Sequence, residues 1–378
     1  MNAISIPFQQ RTATVNSQWL LFLYGAIPLC FVFVLLDKLL WGNQWRDQLL
    51  PTNPAEILFW SVIFNFPHIV SSMVTMVDHE YWQFYRKRVL RAIMIIVSGL
   101  VIINYVVPLT LPAMVAENIF LAYFLFFSAY TVWHVLSQQF GIGMMLMRAR
   151  PDQQYQTWRW LSTIAATTLY FMVFGKYFLR DLSFFNIGAE QWMKGIALVF
   201  IVLSTLTGAA LVSRSQRRLG SFYCLGNLAI LPATFCLLQM GYDIFVIAVP
   251  RFLHDLTAFM IYSVHDQNRN LEEKKNRIYR MLSFIPLSPL ILCPILALVL
   301  ANSIECGSVL LDSLLGVSRN VPDKCVLNPF TPLESTAALN YRMGLWMQIS
   351  LTIGFLHYYI EGFVWKRDSL HRHSVSFS

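Results

Sequence analysis

The stretch RFLHDLTAFMIYSVHD, residues 251–266, places two histidines and two aspartates in an otherwise apolar run. His254 and His265 are eleven residues apart. On an α-helix that is three turns plus about 20°, so both share one face, roughly 16 Å apart along the axis. Asp255 and Asp266 repeat the spacing about 100° round. The segment PHIVSSMVTMVDHEYW carries the same interval between His68 and His79, with Asp78 adjoining the second. His134 and His357 each stand alone in a further apolar run, with Gln138 and Glu361 four residues on and on the same face.

Neutral imidazole is the common protein ligand for iron, zinc and copper. A carboxylate can complete such a site or hold the second ring N–H of a ligating histidine. One buried histidine more often reads as a hydrogen-bonded core residue. Four at matched depth, in helices of one direction, read as a site, because an ionisable group inside a membrane is costly. The expected metal ligands are therefore His68, His134, His254 and His357. Glu361 and Asp255 are the carboxylates expected to act with them, catalytically or as added ligands. His265 is too far from His254 to share its ion. With Asp78, His79 and Asp266 it would form a mouth, a proton route or a second site, or would simply face the headgroups.

The elements that must position these residues are membrane helices. Of 378 residues, 56% are hydrophobic and 13% charged, with mean hydropathy +0.53, whereas soluble domains carry about 25% charged residues. Backbone exposed to lipid must be helical or closed into a barrel, and apolar runs of about 20 residues point to helices. Ten spans are expected, at 19–40, 57–77, 89–107, 119–146, 160–178, 195–212, 222–240, 244–264, 282–300 and 345–365. The chain thus reads as one all-α, polytopic integral membrane bundle over residues 1–378. The polar N-terminus, MNAISIPFQQRTATVNSQ, does not read as a cleavable signal peptide.

Positive charge follows every even-numbered span: Arg86, Lys87, Arg88 and Arg91; Arg148 and Arg150; Arg214, Arg217 and Arg218; Arg269, Lys274, Lys275, Arg277 and Arg280; Lys366, Arg367 and Arg372. By the positive-inside rule both termini are then cytoplasmic, and the setting is a bacterial inner membrane or an equivalent one. The net charge of +8 follows from that topology and favours anionic lipid; it does not require nucleic acid. The long segment 302–340 would be an extracytoplasmic loop, where Cys306 and Cys325 either pair or remain two free thiols. The tail histidines His371 and His373 read as solvated. Trp133, Phe140, Phe259, Tyr262, Tyr358 and Tyr359 are candidates to line a substrate channel, though each alone also reads as ordinary packing.

Four segments carry a family likeness: NFPHIV, VWHVLSQQFG, RFLHDLTAF and FLHYYIEGFVWK, in that order. They resemble the histidine segments of the bacterial Brp/Blh-type beta-carotene oxygenases, multi-helix membrane proteins. The nearest matches are Pro67-His68 and His357-x-x-x-Glu361. The likeness departs at Ala258, where that family tends to carry a second histidine. The resemblance implies an iron-dependent oxygenase using O₂ on a lipid-soluble substrate: a carotenoid, another isoprenoid or an acyl lipid.

Two further readings use the same residues. Paired histidines could ligate two b-type haems, His68 facing His254 and His79 facing His265. Alternatively the histidines and aspartates could relay protons in a transporter. The sequence holds no phosphate-binding loop of the G-x-x-x-x-G-K type, no CxxC pair and no G-x-S-x-G elbow.

Overall fold

The computed structural model describes residues 13–51, 64, 66–175, 179, 182–314, 347–366 and 369–378. Within them the protein is all-α apart from one short hairpin. Asn16 caps α1 (Ser17–Leu23) by accepting from the backbone N–H groups of Gln18 and Trp19, and the chain resumes as α2 (Ala26–Leu40). Next come α3 (Phe66–Met76) and α4 (His79–Val101). The α4 path widens into a π-helical turn at Ile102–Val106 and closes on Val107–Thr110, where Pro108 cannot donate a backbone bond. Then follow α5 (Ala113–Met147), ended by Arg148 in the left-handed region, and α6 (Gln153–Phe174), capped by Asp152. The hairpin pairs β1 (Ser183–Phe184) with β2 (Ile187–Gly188). Phe185 and Asn186 both have positive φ, as a twist-matched two-residue turn requires.

The chain continues through α7 (Ala189–Val212), α8 (Arg218–Gln239), α9 (Asp243–Arg269) and the short α10 (Arg277–Met281). It ends in α11 (Pro289–Leu314), α12 (Met347–Val364) and α13 (Leu370–His373). Among the described residues, six helical stretches are long and apolar enough to cross a membrane: Ser17–Leu40, His79–Thr110, Ala113–Met147, Ala189–Val212, Arg218–Gln239 and Asp243–Arg269. Their outward faces carry large apolar side chains, among them Leu29, Ile95, Val199 and Leu206. In water such a surface would drive association, and lipid is its natural solvent. The fold is that of an integral membrane helical protein.

Two boundaries that bear on the sequence reading differ from it. Arg86, Lys87, Arg88 and Arg91 are not in a connection but on the first turns of α4. The helix starts early because the Asp78 carboxylate accepts from the N–H groups of Glu80 and Tyr81, a strong N-cap. The segment taken as loop from residue 302 begins as helix, since α11 runs on to Leu314. There Asn302 and Ser303 turn their side chains back to the carbonyls of Leu298 and Val299, so their polarity does not break the helix. Cys325, the Cys306 side chain and most of the outer segment lie outside the described residues, as does the first part of the second expected span.

Helix packing brings the histidine-bearing segments together. α3 packs on α9 and α12, and α5 packs on the same two. These four helices therefore close a ring, each touching two others. Around it, α6 packs on α7 and α5, α8 on α5 and α9, α11 on α3, and α4 on α12. Gly220 shows how closely α8 approaches α5: a Cβ there would fall 2.3 Å from the backbone nitrogen of Met147.

Candidate metal centre

Each ring helix supplies one histidine: His68 from α3, His134 from α5, His254 from α9 and His357 from α12. All four are buried, three of them completely. Neighbouring imidazoles meet nearly edge to face, and their centres form a closed circuit: 4.9 Å from His68 to His254, 5.4 Å to His134, 4.8 Å to His357 and 5.1 Å back to His68.

The ring's polar atoms are unevenly satisfied. Ser72, on α3, donates its single hydroxyl hydrogen to the Ile69 carbonyl, at 2.7 Å. Its oxygen also lies 2.6 Å from His357 Nδ1, and with the hydrogen on Ile69 it would accept from that nitrogen. His357 Nε2 then presents its lone pair inward, 3.1 Å from His134 Nε2. Glu361 Oε2 stands 3.2 Å from His134 Nε2 and 3.6 Å from His357 Nε2. Its other oxygen accepts from the Tyr262 hydroxyl. On the opposite side, His68 Nδ1 is 3.0 Å from Asp255 Oδ1 but misaligned for a hydrogen bond. His68 Nε2, both nitrogens of His254 and Glu361 Oε2 also have no hydrogen-bond partner. Leaving a buried polar group unsatisfied costs about 1–3 kcal/mol, so this concentration calls for an explanation beyond packing.

A cation fits the gap. Two ligand atoms at right angles on an ion with bonds of about 2.1 Å lie about 3.0 Å apart, and about 3.4 Å apart in a tetrahedral site. The triangle of His134 Nε2, His357 Nε2 and Glu361 Oε2, at 3.1, 3.2 and 3.6 Å, falls near that range. His68 joins His134 and His357 in a set of donor atoms all within 4.8 Å of one another, and a second such set joins His68, His254 and Asp255. One residue, His68, belongs to both.

The remaining candidates separate. His265 and Asp266 lie in a second buried cluster toward the end of α9. Asp266 accepts from Thr75 at 2.9 Å and from Tyr279 at 2.6 Å, and lies 2.9 Å from His265 Nδ1. His265 Nε2 is 2.9 Å from the Tyr81 hydroxyl. Asp78, besides capping α4, takes two bonds from the Arg269 guanidinium, at 2.9 and 3.2 Å, and that guanidinium covers the Tyr81 ring at 4.7 Å. His79 is not part of this cluster: it is exposed, beside Gln83 at 3.1 Å. These bonds hold α3, α4, α9 and α10 together.

His371 corrects the reading of the tail as solvated. It is 1% exposed, stacked on Tyr81 at 3.8 Å and on His265 at 5.1 Å. The tail is held because Val15 pairs with Phe377 and Asn268 bonds both Ala13 and Ser374. Burial among His265 and Arg269 pushes the His371 imidazole well below its ordinary range, desolvation being the largest cause. His373, by contrast, is exposed.

Of the six aromatics, only two reach the ring: Tyr262 through Glu361, and Tyr358, whose ring lies 4.5 Å from His134. Phe140 stacks flat on Trp158 at 3.7 Å, in apolar packing. Tyr359 is 39% exposed, Phe259 is half-buried, and Trp133 lies under the Arg159 guanidinium. Ser72 and Arg251 were not singled out from sequence. Ser72 is four residues after His68 and Arg251 three before His254, so helical spacing alone would have put both beside the histidines. Arg251 Nε lies 3.8 Å from Asp255 Oδ2.

Compared with known family models, curated proteins and solved structures, the chain matches none.

Proposed function

We propose that the protein is a membrane-embedded, histidine-ligated non-haem iron enzyme, an oxygenase acting on a lipid-soluble substrate. The observation that carries this reading is the triangle of His134 Nε2, His357 Nε2 and Glu361 Oε2, at 3.1–3.6 Å. Two imidazoles and one carboxylate on one face, with other positions open, are the donor set of non-haem iron oxygenases. His134, His357 and Glu361 would hold the metal, with His68 in reach of the same ion and His254 and Asp255 beside His68 in the second set of donors. Iron held there would supply O₂ binding and activation.

The chain's own residues do the positioning. Ser72 keeps the inward nitrogen of His357 unprotonated, and Tyr262 turns Glu361 so that its second oxygen faces the two imidazoles. Complete burial of the ring keeps bulk water out and suits a substrate and O₂ that both arrive through lipid. The proposal includes a topology of ten spans with cytoplasmic termini, in a bacterial inner membrane. A b-type haem is less well supported. The 4.9 Å edge-to-face contact of His68 and His254 leaves no slot for a porphyrin between them. Nor is His79 beside His265 for a second haem.

The test is elemental analysis with an optical spectrum on protein purified in mild detergent. Iron without a Soret band supports the proposal. A strong Soret band would replace it with the cytochrome reading, and metal-free active protein would return the histidines to a proton relay.

A further inference from the structure

The imidazole ring and its two carboxylates divide into two groups of the same composition. His134, His357 and Glu361 make one, the centre proposed above. His68, His254 and Asp255 make the other, with donor atoms all within 4.8 Å of one another. His68 is in reach of both, but the first group has its three donors without it. The second group needs its own account. His68, His254 and Asp255 are each 0% exposed. Neither nitrogen of His68 and neither nitrogen of His254 has a hydrogen-bond partner, although a neutral imidazole carries both a donor and an acceptor. A hydrogen bond is the ordinary reason for a histidine and an aspartate to stand 3.0 Å apart, as His68 Nδ1 and Asp255 Oδ1 do. This pair is misaligned for one. The same spacing suits neighbouring ligand positions on one ion with bonds of about 2.1 Å.

We propose that His68, His254 and Asp255 hold a second divalent transition-metal ion, so that the ring is a two-metal centre. This rests on the reading of the ring as a metal site, and it fixes the number of ions. Two imidazoles and one carboxylate suit a first-row ion such as Fe²⁺ and leave positions open. The ring centres of His68 and His357 are 5.1 Å apart, and those of His254 and His134 5.4 Å. The two groups therefore lie side by side, the arrangement in which two ions clamp one small ligand. The second ion is the weaker bound. Arg251 Nε lies 3.8 Å from Asp255 Oδ2, so that carboxylate already faces a fixed positive charge, which repels a cation beside it. Glu361 is paired instead with the neutral Tyr262 hydroxyl. Purified protein therefore keeps the first ion, and the second site fills as metal is added.

The experiment is an anaerobic Fe²⁺ titration of the full chain in mild detergent, with bound iron measured by elemental analysis after equilibrium dialysis. The wild type should rise from about one ion per chain to about two, the second binding about tenfold or more weakly than the first. His254→Gln and Asp255→Asn should stop at one, and His134→Gln should lose the tight ion. Asp255→Glu keeps a carboxylate for the metal and for Arg251. It should regain the second ion at reduced affinity, which separates loss of a ligand from misfolding in Asp255→Asn. The two readings fail separately. A wild type that saturates at one ion, lost in His134→Gln and kept in His254→Gln, overturns the second site and leaves the iron centre standing. A single ion lost in His254→Gln and kept in His134→Gln does the reverse. A single ion lost in both variants means one shared site, and two ions in both His254→Gln and Asp255→Asn place the second elsewhere; either overturns the proposal.

Discussion

His134 Nε2 and His357 Nε2 stand 3.1 Å apart, with Glu361 Oε2 within 3.6 Å of both. The atoms come from α5 and α12, more than two hundred residues apart in sequence. A single proton can serve only one line of this triangle. Ser72 Oγ meets the far nitrogen of His357 at 2.6 Å, an arrangement that suits the metal proposed above. Four consequences can be measured.

Ser72 acts through His357. Removing its hydroxyl in Ser72→Ala frees the imidazole to take its other tautomer. Metal affinity should fall about 10–100-fold, with stoichiometry regained at saturating metal and most of the affinity restored in Ser72→Thr. Competition with a calibrated chelator reads this directly; an unchanged affinity would show that Ser72 serves only α3.

Glu361→Gln keeps a group for Tyr262 to bond but replaces the inward carboxylate oxygen. It should weaken metal binding more than Tyr262→Phe does, because the first loses a ligand atom and the second only its orientation. The same chelator titration ranks the two, and the reverse order would remove Glu361 from the donor set.

The second cluster should behave as a clasp. Arg269→Met leaves Asp78 buried without its guanidinium, a change that costs about 3–5 kcal/mol. The expected result is a clear drop in thermal midpoint while metal content at low temperature stays at the wild-type level. Metal loss without loss of stability would make this cluster part of the site.

His371 gives an acid-sensitive term. Its folded-state affinity for protons is depressed by burial, so the unfolded chain takes up the proton first. The stability it contributes is present above about pH 6.5 and is lost as pH falls below that value toward the lower folded-state range. In His371→Phe, which keeps the stack on Tyr81, unfolding between pH 6.5 and 5 should become less pH-dependent. An identical pH profile would show that the tail opens before it titrates.

The sequence showed the four ring histidines because an ionisable group stands out in an apolar run, and their common helical direction gave matched depth. It did not show His371. The tail KRDSLHRHSVSFS is polar throughout, and its burial depends on a strand-like contact between Val15 and Phe377 that no local pattern announces. Phe140 was placed near His134 by proximity in sequence, yet six residues put it about 240° round the helix, where it meets Trp158. The early start of α4 was hidden by Arg86–Arg91, whose charge resembles a connection; the deciding residue is Asp78, a cap whose second task is to bind Arg269.

The most direct test of the metal centre is elemental analysis of the wild type beside His134→Gln and His357→Gln, each shown to be folded by its thermal transition. About one iron per chain in the wild type, no Soret band, and less than a tenth of that iron in either variant is the predicted result. Folded variants that keep the full wild-type metal content would contradict it.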